Sequence, residues 1–259
     1  MPELPEVEIY SRYLAKHALG QPIRRVRVSD ERILGGIRKE TFAAALRGRA
    51  FRDVRRHGKH LFADAKGVWL HLHFGMTGDL AYYEGDDPRF ARVVFDFANG
   101  AHLAFEDMRL FGIADLTPDP AAYIAGHGLG ADPLDPAFTL PRFRNLLAGR
   151  RGAIKSLLMS QDVIAGIGNL YADETLFQTS IHPRRPVSEL SDNDIRQTYM
   201  TIRRILRGVI ARKSRGADHP PRFLILHREE EEQCPRCGGS IERTVVSGRT
   251  TYFCGAHQR

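Results

Sequence analysis

The apolar residues of this chain change pattern twice, from helical to strand-like and back to helical, and those changes limit the folds open to it. From Gln21 to about Leu116 the pattern is strand-like, in the short runs IRRVRV, FRDVRR, HLFADA, VWLHLHF and LAYY, rich in β-branched or aromatic residues. A period of two belongs to a strand with one face buried. The stretch RVVFDFANGAHLAFED alternates on both sides of Asn99-Gly100, which predicts a hairpin there. Later runs are longer and helically spaced, in FRNLLAG, GAIKSLLMSQ, NLYADETLFQTS and SDNDIRQTYMTIRRILRGVIARK. Ser191 stands where the last of them needs an N-cap. One helix precedes the strands, PELPEVEIYSRYLAKHAL at 2–19, with proline near its start and Lys16 and His17 near its end. The order predicts an α+β chain of two domains: an N-terminal helix on an antiparallel β-sandwich or barrel, then a helical domain.

Between the two regimes, TPDPAAY and GHGLGADPLDPAF are rich in Pro, Gly and Asp, as a linker would be. The expected boundaries are 1–116 for the helix and strands, 117–137 for the linker, 138–215 for the helices and 216–259 for a closing loop and cysteine segment. A chain of 259 residues with 42% hydrophobic residues can bury a core in each domain. No run approaches the ~18–20 apolar residues of a membrane span. The start is acidic (Glu3, Glu6, Glu8) and carries no basic-then-apolar signal. These features predict a cytoplasmic protein, nucleoid-associated in a bacterium, acting as a monomer without a membrane partner. The net charge is +7. Residues 1–130 carry 18 Lys and Arg against 17 Asp and Glu, the remainder 20 against 14. A basic second half suits a polyanion, since each neutralised phosphate releases counterions.

All three cysteines lie in the last 26 residues, as Cys234-x-x-Cys237, then sixteen residues, then Cys254-x-x-His257. A two-residue gap lets two ligands converge on one ion, and the intervening SIERTVVSGRTTYF reads as two strands joined around Ser247-Gly248. Three thiolates and one imidazole satisfy tetrahedral zinc and leave no open position. The site is therefore expected to hold one structural Zn2+ and to stabilise a segment too small for a core of its own.

With both ends described, MPELPEVE at 1–8 and the zinc hairpin resemble the bacterial formamidopyrimidine-DNA glycosylase and endonuclease VIII family. The resemblance continues in GKHL at 58–61, HFGMTG at 73–78, MRLFG at 108–112, GIGNLYADE at 166–174 and GRTTYFC at 248–254, in the family's order. It implies a β-sandwich carrying the N-terminal helix, a helix-two-turn-helix domain, a C-terminal zinc finger, and double-stranded DNA with damaged bases or abasic sites bound between the domains. The activity implied is base-excision repair: a glycosylase with abasic-site lyase activity, removing oxidised bases.

The resemblance also assigns residues, each with a plainer alternative. Pro2 by position is a helix-start proline; in the family it is the nucleophile, its amine freed by removal of Met1. An α-amine titrates near ~7.7–8, so much of it is neutral where a lysine at ~10.4 would be charged. Glu3 becomes the acid and base beside it and Glu6 a neighbour that positions the terminus, although both could simply complement the helix dipole. Lys59 is either a solvated lysine or the residue that binds phosphate and aids elimination. Met76, Arg109 and Phe111 match the trio that fills the gap left by a flipped nucleotide, while core packing is the alternative for Met76 and Phe111. Asn169 opens a helix where backbone amides favour an anion, or caps it. Arg249 matches the finger arginine to phosphate. His73 and Lys155 are expected as further phosphate contacts.

Four features depart from the family pattern. His257 replaces a fourth cysteine. The usual DPRRFG reads DMRLFG, with Leu110 in place of an arginine. Residues 216–227 are short where purine-specific members carry a longer capping loop. Glu229–Glu232 places four acids before Cys234, read as a solvated turn. The N-terminus favours formamidopyrimidine or 8-oxoguanine as the lesion, whereas the short segment favours oxidised pyrimidines, as in endonuclease VIII. A non-catalytic protein that binds damaged DNA would share the charge, the finger and Asn169, but not the combination of Pro2, Glu3 and Lys59.

Overall fold

The computed structural model describes residues 1–259, which divide into two compact units, Met1–Gly128 and Leu129–Arg259. In the first unit, helix α1 (Leu4–Ala18) begins at the N-cap Glu3, with proline in its first turn. A capping box closes that end, in which the Glu6 carboxylate accepts the Glu3 amide at 3.0 Å. Leu4, Val7, Ser11, Leu14 and Ala18 are buried at spacings of three and four, so one stripe of the helix faces inward.

Eight strands follow in two antiparallel four-stranded sheets. One is ordered β1-β6-β7-β5, from Ile23–Val28, Ala91–Phe97, His102–Asp107 and Gly78–Tyr83. The other is ordered β2-β3-β4-β8, from Asp53–His57, His60–Asp64, Trp69–His73 and Ile113–Thr117. Alternation puts Leu61, Ala63, Leu70 and Leu72 into a core shared with Phe95, Leu103 and Phe105. Helix α2 (Lys39–Leu46) also buries Phe42 and Leu46 there; it lies within a stretch that reads as strands, and its single i,i+4 pair is too short a signal to declare it.

The opposite face of β3 and β4 carries His60, Phe62 and His71. It is covered by helix α3 (Pro120–Gly126), whose Tyr123 ring sits 4.3 Å from His71 and stacks at 3.8 Å on His127. His60 Nδ1 and His71 Nε2 approach to 2.9 Å. Burial pushes His71 down to about 3 and His60 to about 2, so both rings are neutral near pH 7. The expected linker is therefore divided. Its first part folds onto the sandwich, and from Gly130 onward it bonds the second unit, with Gly130 N donating to the Gln161 carbonyl at 2.8 Å.

The second unit contains α4 (Leu140–Leu147), α5 (Ile154–Met159), α6 (Asn169–Thr179) and α7 (Asp192–Lys213), then the hairpin of β9 (Glu242–Val246) and β10 (Arg249–Phe253). Gln161 ties the double turn between α5 and α6: its amide donates to the carbonyls of Met159 (2.8 Å) and Ile167 (2.6 Å) and accepts the Gly166 N–H at 2.9 Å. Ser191 is the N-cap of α7, as the sequence predicts. Its hydroxyl accepts the Asp194 amide at 3.1 Å and Asp194 accepts the Ser191 amide at 3.0 Å. Residues 216–259 pack in this same unit rather than forming a separate one.

Because the cap satisfies amides that the helix leaves unpaired, Ser191→Ala is expected to cost ~1 kcal/mol in urea denaturation while Ser191→Asp stays close to wild type. Equal midpoints for all three proteins would contradict the capping role.

Candidate active site and zinc centre

The residues assigned to chemistry gather at the start of α1 and the tip of the β2–β3 hairpin. Glu3 is 2% exposed, Pro2 half-buried, and Met1 projects into solvent. His57 pairs with His60, so Gly58-Lys59 forms a two-residue turn. α1 is fastened to that hairpin by Glu8, whose carboxylate accepts Arg56 Nε at 2.9 Å, while Arg56 Nη1 donates to the Gly58 carbonyl at 3.1 Å. Lys59 is nearly buried at 8% exposure. His73, at the end of β4, is held below its ordinary range first by burial and then by the Lys59 charge, so its ring is neutral near Lys59. Its Nδ1 accepts the Gly75 amide at 3.3 Å.

Met76 and Phe111 do not pack in the core. They are 44% and 53% exposed, large apolar side chains left in water by an otherwise well-filled sandwich. The Arg109 guanidinium lies 4.6 Å from the Phe111 ring centroid. Met108, beside them, is 54% exposed. Leu110 packs its partly buried side chain against the core with a backbone φ of +55°.

In the second unit, Asn169 is the first residue of α6 and Gly168 the N-cap. Asn169 Nδ2 donates to the Thr250 carbonyl at 2.9 Å, while its Oδ1 is buried without a partner. Arg249 is exposed, one residue past a Ser247-Gly248 turn with φ of +47° and +72°. Two consecutive positive φ values define a type I′ turn, which only a residue like glycine adopts freely at its second position.

Lys155 departs from the expected phosphate contact. It is fully buried, and its ammonium pairs with Asp173 Oδ1 at 2.6 Å and donates to Thr251 Oγ1 at 2.5 Å. Arg228 Nη1 meets the other Asp173 oxygen at 2.6 Å. A buried ammonium must be matched by an anion, and Asp173 supplies it. Next along α6, Glu174 accepts the Ile225 amide at 3.1 Å and the Gln178 amide at 2.8 Å, fixing the short segment before the finger. Burial pushes the Glu174 carboxyl up to about 7. Sequence reasoning missed Asp173, Glu174 and Arg228, since nothing in their spacing separates a buried charge from a solvated one. Of the acidic run, Glu229–Glu231 are exposed, while Glu232 pairs with His227 at 2.5 Å.

The ligand atoms of Cys234, Cys237, Cys254 and His257 all lie within 4.8 Å of one another. Cys237 Sγ is 3.5 Å from Cys254 Sγ and 3.4 Å from His257 Nδ1. With Zn–S near ~2.3 Å and Zn–N near ~2.0 Å, such spacings fit one tetrahedral zinc. His257 presents Nδ1 to the sulfurs, and its Nε2 lies 3.4 Å from the Phe177 carbonyl, the outer partner a ligating imidazole needs. Ile241, Leu224 and Phe177 pack around Cys234 and Cys254, so the centre is anchored to α6.

A sandwich fronted by a helix, a helical unit with a double turn, and a closed Cys3His centre define a zinc-finger DNA-repair glycosylase. The chain belongs to the formamidopyrimidine-DNA glycosylase family. The model of that family's N-terminal domain matches residues 1–114, its H2TH domain residues 129–219, and the zinc finger found in FPG and IleRS residues 231–256. The formamidopyrimidine-DNA glycosylase of Brevibacillus brevis is 36% identical over 98% of both chains, and that of Geobacter metallireducens 37% identical over 98% of both. Among solved structures, a complex between the Lactococcus lactis Fpg and an abasic-site-containing DNA is similar with a TM-score of 0.88 and 29% identity over 99% of each chain. MutM in complex with DNA containing carbocyclic 8-oxo-G gives 0.89 and 29% over the full length of each. No helix is long and apolar enough to cross a membrane.

Two measurements check this chemistry. Zinc analysis should return one equivalent for wild type and for His257→Cys, and much less for His257→Ala, whose finger becomes protease-sensitive; full zinc content in His257→Ala would remove His257 from the ligand set. For Glu174, a folded-state carboxyl at about 7 against an ordinary 4.5 binds its proton more tightly in the folded chain. Its contribution is therefore complete below pH ~4.5 and is lost as the pH rises to about 7. Wild type minus Glu174→Gln stability should fall across that window and level off above it; a flat difference would contradict the burial effect.

Proposed function

We propose that this chain excises oxidised bases from double-stranded DNA and cleaves the strand at the resulting abasic site, using the amine of Pro2 once Met1 is removed. The observation that carries the reading is a proline at the head of a capped helix, next to a buried glutamate and fastened to a lysine-bearing hairpin, in a chain of this family. The amine lone pair attacks C1′ of the damaged nucleotide, and the glycosidic electrons leave with the base. Glu3 protonates the sugar oxygen as the ring opens, and an iminium joins Pro2 to C1′. The iminium acidifies C2′–H. Loss of that proton expels the 3′ phosphate, a second elimination expels the 5′ phosphate, and water then releases the amine.

Lys59 binds the phosphate beside the lesion, with the neutral His73 next to it as a hydrogen-bond donor through Nε2. Glu6 holds the Glu3 amide and so the direction of the terminus. Met76, Arg109 and Phe111 fill the space left by the flipped nucleotide, a role supported by their exposure. Asn169 and Arg249 bind the backbone. Oxidised purines, formamidopyrimidine above all, are the favoured substrates, supported by the similarity to formamidopyrimidine-DNA glycosylases over nearly the whole chain. The relatives are bacterial, and we place the activity in the cytoplasm on nucleoid DNA.

Borohydride reduction in the presence of abasic duplex should trap a covalent adduct with the chain that begins at Pro2. An N-terminal extension should abolish the adduct. Glu3→Gln should still bind DNA while excision falls by roughly 10²–10⁴-fold. No adduct from protein shown by mass spectrometry to start at Pro2 would overturn the mechanism, and a panel of lesion duplexes identifies the preferred base.

A further inference from the structure

The exposed Met76, Arg109 and Phe111 are carried by two loops, residues 74–77 and 108–112, neither with a regular ladder of its own. Both loops close on one fully buried carboxylate, that of Asp107 at the end of β7. Oδ1 accepts the Thr77 hydroxyl from the first loop and the Arg109 amide, at 3.0 Å, from the second. Oδ2 accepts the Gly112 amide at 2.6 Å. The Asp107 backbone is itself fixed, its N–H donating to the Phe90 carbonyl at 3.0 Å and its carbonyl accepting Arg92 Nε at 2.7 Å. Burial alone would push this carboxyl up, but the Thr77 hydroxyl and the amides of Gly112, Arg109 and Phe111 outweigh it and hold the group ionised.

The loops also touch directly. Gly75 has φ +54°, and a Cβ there would lie 2.4 Å from the Phe111 carbonyl carbon and oxygen. Leu110 takes a left-handed conformation uncommon for a branched residue, which lets its own side chain turn into the core while Arg109 and Phe111 face outward. Such a backbone persists only where its surroundings over-determine it, and the amides on either side of it are those held by Asp107.

We infer that Asp107 is a positioning residue for base flipping, its one carboxylate locking the two loops into a single platform for Met76, Arg109 and Phe111. The inference rests on the void-filling reading of those three residues. Filling the gap offsets lost stacking only if the side chains arrive already placed, because ordering two loops on the DNA would consume the same gain.

The test compares Asp107→Asn, Thr77→Val, Thr77→Ser and Phe111→Ala in three assays. These are single-turnover excision from a duplex containing formamidopyrimidine-deoxyguanosine, the fluorescence change of 2-aminopurine opposite the lesion, and borohydride trapping on a single-stranded abasic oligonucleotide. Single-stranded abasic DNA has no base to flip and no gap to fill, so trapping reads the Pro2 chemistry alone. Asp107→Asn should lose excision by roughly 10- to 100-fold together with the fluorescence step, with trapping unchanged. Thr77→Val should fall part of the way and Thr77→Ser recover. Wild-type excision by Asp107→Asn beside a defective Phe111→Ala would overturn the positioning role alone. Trapping that declines in parallel with excision would make Asp107 a folding residue and overturn it too. Wild-type excision by Phe111→Ala would overturn the void-filling reading and this inference with it.

Discussion

One buried charge holds the second unit in register. Lys155 on α5, Asp173 on α6, Arg228 before the finger and Thr251 on β10 meet through side chains almost wholly removed from water. Either cation alone in that setting would be strongly unfavourable, and so would the aspartate without them. The three elements that carry Asn169, Arg249 and the zinc ligands therefore cannot shift independently. The Asn169 amide reaching the Thr250 carbonyl adds a second tie between the same helix and hairpin.

The zinc centre makes the same connection by coordination. A hairpin of two five-residue strands has little core of its own, and its apolar contacts come from Phe177 of α6 and Leu224. Four ligands fix the hairpin's root, a type I′ turn fixes its tip, and Arg249 follows that turn directly. Buried polar groups here carry the architecture that an apolar core carries in the sandwich.

How much of this could be read from residues alone follows from what each signal measures. Cys-x-x-Cys and Cys-x-x-His spacing is covalent geometry, so the zinc ligands were legible without any fold. Short runs rich in β-branched and aromatic residues located the strands of the sandwich, although the middle residues of β3, β4, β6 and β7 are buried on both faces. Such runs could not report α2, eight residues long, nor α3, whose Pro- and Gly-rich surroundings read as a linker although Tyr123 packs against His60, Phe62 and His71 of the sheet. Lys155 shows the limit most clearly: beside the family's phosphate-binding residues it reads as a further phosphate contact, and only the position of Asp173 shows its charge already matched. Met76 and Phe111 err in the other direction, apolar residues that composition assigns to a core and the fold leaves in solvent.

The hydrogen bonds that close the two loops on Asp107 bear on when entropy is lost. Residues ordered during folding are ordered once, at a cost set against the stability of the whole sandwich; residues ordered on a ligand incur that cost at every encounter. On the void-filling role proposed above, a surface of Met76, Arg109 and Phe111 held in advance would meet many undamaged base pairs without being rebuilt each time. The moving part of each encounter is then the nucleic acid, and discrimination can draw on how readily a given base pair leaves its stack.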